Sequence, residues 1–128
     1  MKHLRFCLVA ALACTGTYSA RALEWKQNLI SVTAERGAEV VRTKFDFKNT
    51  GKTTVHLLGI TTSCSCTDAT VAGSSVAPGE AASLQVLFTV GKHRGLQEEE
   101  IDVMTDESNV ATKLRLRVTI PPPTAAPR

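Results

Sequence analysis

Along much of this chain apolar and polar residues alternate, the period of a strand with one face in a core and the other in water. Val41, Thr43, Phe45 and Phe47 alternate with Arg42, Lys44, Asp46 and Lys48. Leu84, Val86, Phe88 and Val90 form a second set, and Ile101 and Val103 a third, between Glu100, Asp102 and Met104. The clearest run is Leu114, Leu116, Val118 and Ile120 against Lys113, Arg115, Arg117 and Thr119. Val55 and Leu57 open a further strand toward Ile60. There Leu58 and Ile60 are apolar too, which predicts a central strand covered on both faces. Leu23 to Ala34, with Leu23, Trp25, Leu29, Ile30 and Val32, reads as one or two short edge strands. Turn signals separate these runs: Asn49-Thr50-Gly51, a polar loop over Gly91–Gly95, and Pro78-Gly79, which suits the two central positions of a type II turn.

No stretch carries a convincing helical period. The pattern predicts an all-β fold, an immunoglobulin-like antiparallel β-sandwich of about seven strands. The Cys–Trp–Cys signature of antibody domains is absent, because Trp25 precedes Cys64 and Cys66 and those two lie too close together to bridge sheets.

Pairing the last two strands as a hairpin sets Asp102 against Arg115 and Glu100 against Arg117, with Val103 by Leu114 and Ile101 by Leu116. A two-residue slip, pairing Asp102 with Lys113 and Glu100 with Arg115, satisfies the charges equally well. The apolar face is fixed either way, because only a one-residue slip would turn it outward.

Composition and charge bound the rest. The chain has 128 residues, enough for one domain. Residues 1–5 are basic, residues 6–14 (FCLVAALAC) are apolar, and Ala20-Arg21-Ala22 has the small-x-small form of a signal-peptidase site. We therefore expect residues 1–22 to be a signal peptide, 23–120 the sandwich domain and 121–128 a Pro-rich disordered tail. The apolar run is too short to span a bilayer core, which takes about 20 residues, and no other segment suggests a span. The expected product is exported, periplasmic or extracellular. Lipoprotein processing at Cys14 is the weaker route, because Ala11 stands where leucine is usual. Three of the 15 Lys and Arg residues (Lys2, Arg5, Arg21) fall in the leader, so the remainder balances the 12 Asp and Glu. A neutral domain lacks the basic footprint of a nucleic-acid binder.

Four phrases occur in order: Phe45-Asp46-Phe47-Lys48-Asn49-Thr50-Gly51, Thr62-Ser63-Cys64-Ser65-Cys66-Thr67, Pro78-Gly79-Glu80 and the closing Leu114-Arg115-Leu116 strand. Together they resemble a large bacterial family of secreted proteins of unknown function, whose pattern runs F-x-F-x-N-T-G, S-C-G-C-T, P-G-E. The resemblance covers roughly Trp25 to Ile120. That family is similar to the immunoglobulin-like ASH and major-sperm-protein domains, which implies a binding or scaffolding module and no enzymatic activity. Ser65 stands where the family has glycine. If that position requires a positive φ, serine is strained there.

The candidate chemistry centres on Cys64 and Cys66, the two cysteines outside the leader. In an extended strand their Cα atoms would lie roughly 6–7 Å apart, at the outer edge of disulfide geometry, and a bend at Ser65 would bring them closer. Three readings stay open: structural or oxidised thiols shaping a turn, a soft-metal pair, or an active redox pair. Two thiolates are half a structural zinc site. Copper(I), which favours thiolate and thioether ligands, is the best-suited metal, with Met104 as a third ligand. His56, His93 and Asp68 complete the ligand inventory, and both histidines read as ordinary exposed side chains. Glu98-Glu99-Glu100 reads as a loop end and a solvated strand face guarding an edge. Asp106, Glu107 and Asn109 lack the ligand spacing of a calcium loop. The leading functional expectation is a non-enzymatic module binding another protein or an envelope component. The alternative is a copper(I)-binding or thiol-redox protein.

Overall fold

The computed structural model describes residues 21–123. All but the end of the expected leader, and residues 124–128 of the expected tail, lie outside that range. The described residues form nine strands and no helix: β1 Leu23–Trp25, β2 Leu29–Thr33, β3 Val40–Asn49, β4 Val55–Thr62, β5 Thr67–Val71, β6 Ser75–Val76, β7 Ala81–Thr89, β8 Gly95–Thr105 and β9 Ser108–Ile120. They make two sheets, one ordered β1-β3-β7-β5 and the other β2-β9-β8-β4-β6. The protein is an immunoglobulin-like β-sandwich. The count exceeds seven because the alternation, with its first segment divided into β1 and β2, marks seven strands and misses β5 and the two-residue β6.

The alternating residues make the core. Phe45, Phe47, Leu84, Val86, Phe88, Ile101, Val103, Leu114, Leu116 and Val118 are all buried, drawn from the inner faces of both sheets. Burying a side chain of this size contributes roughly 1.5–3 kcal/mol. Trp25 caps one end, its ring centroid 4.5 Å from that of Phe47.

One pairing departs from the antiparallel expectation. β1 runs antiparallel to β3, whereas β2 runs parallel to β9, from Leu29 beside Arg115 to Thr33 beside Thr119. The chain changes sheets between Trp25 and Leu29 and so meets the last strand travelling in the same direction as it.

The β8–β9 register is the slipped alternative. Glu100 faces Arg115, Asp102 faces Lys113 and Ile101 faces Leu114. The hairpin closes tightly, with Thr105 opposite Ser108, and an irregularity between Val103 and Thr105 sets the offset. Lys113 then reaches Glu100 at 2.6 Å and Asp102 at 3.2 Å, and Arg117 reaches Glu98 at 2.7 Å.

β4 also differs from expectation. It is not covered on both faces. β6 pairs only with Val55 and His56, and Leu58, on the same outer face as His56, is 66% exposed; a bulge between Leu57 and Gly59 then brings Ile60 opposite buried Val103. One extra residue on one strand breaks the two-residue phase and turns Ile60 toward the inner face.

The two turn phrases have direct structural roles. Asn49 is fully buried. Its Nδ2 donates to Thr53 O (2.9 Å) and Val76 O (2.8 Å), and its Oδ1 accepts from Gly51 N (2.9 Å). It thereby ties the end of β3 to β6 in the other sheet. At Pro78-Gly79, Glu80 N donates to Ala77 O at 3.0 Å and Gly79 has φ +79°, which makes this the expected glycine-dependent turn.

Candidate functional site

Residues 63–66 form the bend between β4 and β5, and so between the two sheets. Each side is tied to a different sheet: Ser63 N donates to Glu100 O of β8 (2.9 Å), and Thr89 N of β7 donates to Cys66 O (2.8 Å). Within the bend, Thr67 N donates to Cys64 O at 3.2 Å, and Thr62 Oγ1 lies 3.0 Å from both Cys64 O and Thr67 O. The bend draws the Cα atoms of Cys64 and Cys66 to 5.1 Å, and the two sulfurs are joined in a disulfide. Cys66 N donates to Cys64 Sγ at 3.0 Å. Among the described residues only glycines have positive φ, so Ser65 sits in this bend without left-handed strain.

Glu99 flanks the pair and is 7% exposed. Its Oε2 accepts from Ser63 Oγ at 2.9 Å, and Ser63 Oγ in turn accepts from Glu100 N at 2.9 Å. Glu99 Oε1 lies 3.8 Å from Cys66 Sγ, a van der Waals approach while the sulfur is in a disulfide and within hydrogen-bond reach of a Cys66 thiol. The acidic triplet therefore splits. Glu98 and Glu100 face water in ion pairs with Arg117 and Lys113, and Glu99 turns inward.

His93 also approaches the pair. It belongs to the loop after β7, where His93 N donates to Val90 O (2.8 Å) across a turn that gives Gly91 a φ of +49°. Its ring packs against buried Phe88, with centroids 5.6 Å apart. A His93 ring nitrogen and the Sγ atoms of Cys64 and Cys66 all lie within 4.8 Å of one another. His93 is thus partly buried beside the pair rather than an ordinary exposed histidine.

The other sequence candidates are elsewhere. Met104 lies opposite Gly59, far back along β4, roughly 15 Å from Cys64 at about 3.3 Å per residue. His56 sits at the start of β4, and its Nδ1 is 2.7 Å from Asp106 Oδ2. The Asp106 carboxyl is held below its ordinary range, first by the His56 backbone N–H and then by the His56 ring. Asp68 is exposed on β5, opposite Leu87.

A second feature adjoins the bend. No strand of the described residues lies beyond β4 from Gly59 to Thr62, because β6 stops at His56. β5 is likewise an edge of its own sheet. Between these edges runs a shallow groove of about 170 Å³, lined by Leu57, Leu58, Gly59, Ile60, Val71 and Gly73.

Several solved structures share this fold. A protein of unknown function from Porphyromonas gingivalis W83 is similar with a TM-score of 0.67 and 13% identity, over 82% of this chain and 51% of that one. This chain thus spans about half the length of that protein. The ASH / PapD-like domain 7 of human CEP192 is similar with a TM-score of 0.61 and 14% identity, over 95% of this chain and 100% of that domain. The YadV chaperone is similar with a TM-score of 0.54 and 10% identity, over 81% of this chain and 53% of that one. Likenesses at such identities establish the fold alone. A comparison with curated proteins finds no match. Residues 23–120 match the family model described as "Protein of unknown function (DUF1573)", and this chain belongs to that family.

Proposed function

We propose that this protein is an exported, non-enzymatic binding module that engages another protein or envelope component by adding that partner's extended strand to the open edge of β4. The observation that carries this reading is the outward-facing Leu58. Its apolar side chain is 66% exposed beside a stretch of strand, Gly59–Thr62, that β6 does not cover. An unpaired edge offers main-chain hydrogen bonds to an extended segment, and an exposed apolar residue beside it offers a side-chain contact. The immunoglobulin-like fold and the PapD-like and chaperone structures that share it are consistent with a module that binds rather than converts.

The test is site-specific photo-crosslinking in cells that export the protein. A photoreactive residue at Leu58 should capture a defined partner. The same residue at Arg42, exposed on the other sheet, should not. Equal capture from both positions, or turnover by the purified protein that tracks a mutation in this groove, overturns the reading.

A further inference from the structure

Two cysteine sulfurs and an imidazole converge at the β4–β5 bend, and they come from separate parts of the chain. Cys64 and Cys66 are fixed by the bend and its bonds to both sheets, and His93 by its own loop and by Phe88. From this convergence we propose that the reduced Cys64–Cys66 pair and His93 form a three-ligand copper(I) site, which closure of the disulfide shuts off. The proposal does not depend on what binds the β4 edge.

The donor set selects the metal. Two thiolates and one imidazole are soft to intermediate ligands, which suit copper(I). A structural zinc site takes four ligands, and among the described residues no fourth His, Cys, Asp or Glu joins this cluster. His93 takes the place that Met104 is too distant to fill. Glu99 is a positioning residue. Its Oε1, 3.8 Å from Cys66 Sγ, is placed to accept from the Cys66 thiol in the reduced, metal-free pair, and its other oxygen is anchored by Ser63.

Opening the site breaks the Cys64–Cys66 S–S bond. Two electrons and two protons come from a dithiol reductant, which becomes a disulfide. Copper(I) then displaces the two thiol protons to solvent with no change in its own oxidation state. In the reverse step a disulfide oxidant takes two electrons from the thiolates and two protons from solvent to become a dithiol, the Cys64–Cys66 S–S bond re-forms and copper(I) is released. Exported proteins meet such oxidants and reductants, and a bridge this close in sequence gains little loop-closure stabilisation to resist them.

The test uses the full chain with Cys7→Ser and Cys14→Ser, so that Cys64 and Cys66 are its only thiols. Copper(I) is titrated anaerobically against a chromophoric copper(I) chelator, with the protein reduced and oxidised. The reduced protein should bind one copper(I) per chain and the oxidised protein none. Adding Cys64→Ser/Cys66→Ser should abolish binding, His93→Ala should weaken it at least tenfold, and Met104→Leu should leave it unchanged. X-ray absorption on the loaded protein, which needs no further variant to fold, should report two sulfur scatterers and one nitrogen. Equal affinity in the oxidised protein, a shell without nitrogen, or tighter binding of zinc than of copper(I) would each overturn the proposal.

Discussion

The Ser63 hydroxyl donates to Glu99 Oε2 over 2.9 Å while accepting from Glu100 N over the same distance. One side chain thereby satisfies a buried carboxylate and links the β4–β5 bend to β8. Removing it strands Glu99 in a site that is 7% exposed. Ser63→Ala should therefore lower unfolding free energy by about 1–2 kcal/mol in urea titration. An unchanged midpoint would mean that Glu99 draws its solvation from elsewhere.

Asn49 should be more sensitive. Its side chain makes three hydrogen bonds, to Thr53 O, Val76 O and Gly51 N, from a fully buried position. Asn49→Ala leaves those backbone groups without their partner. We predict a loss of about 2–3 kcal/mol, read as a lower denaturation midpoint at unchanged slope. Asn49→Asp, which keeps the acceptor for Gly51 but loses the donor, should also destabilise.

Acid should expose two carboxylates. The Asp46 carboxyl is held below its ordinary value, chiefly by the Ser83 hydroxyl and then by Lys44, and Asp106 is held low chiefly by the His56 backbone N–H. Between the depressed folded value and the ordinary value of 3.8, the unfolded chain binds more protons than the folded one. Their contribution to stability is therefore present above about pH 3.8 and is lost as pH falls through the folded values. The melting temperature should decline across that window. Asp46→Asn/Asp106→Asn, which cannot titrate there, should show a shallower acid limb. An identical limb in the double variant would show that other groups govern it.

Leu58 should separate binding from folding. It is exposed, so Leu58→Asp should shift stability by no more than about 0.5 kcal/mol. The same change places a charge on the open edge and, with the photoreactive residue moved to exposed Thr61, should abolish partner capture. Loss of capture together with loss of fold would instead make Leu58 a structural residue.

The sequence disclosed the core well, because burial followed the two-residue period. Phe45, Phe47, Leu84, Val86, Phe88, Leu114, Leu116 and Val118 all point inward as the alternation requires. The period failed at Ile60, which a bulge between Leu57 and Gly59 turns inward; Gly59 was the local residue that marked it. Charge left the β8–β9 register ambiguous, and hairpin closure at Thr105 and Ser108 decided it. Glu99 was within reach of sequence reasoning, since it is in phase with Ile101 and Val103 on the buried face. Its membership in an acidic triplet obscured that. His93 was not within reach. It meets Cys64 and Cys66 through the packing of a loop against β7, a relationship between distant segments that no periodicity encodes.

The most direct test of the β4 edge is amide hydrogen exchange, with and without the partner captured through Leu58. Free protein should exchange faster over Gly59–Thr62 than over β9, and the complex should gain protection at Gly59–Thr62 and at the bend that follows. Protection gained instead on the face that carries Arg42, with Gly59–Thr62 unchanged, would contradict the account.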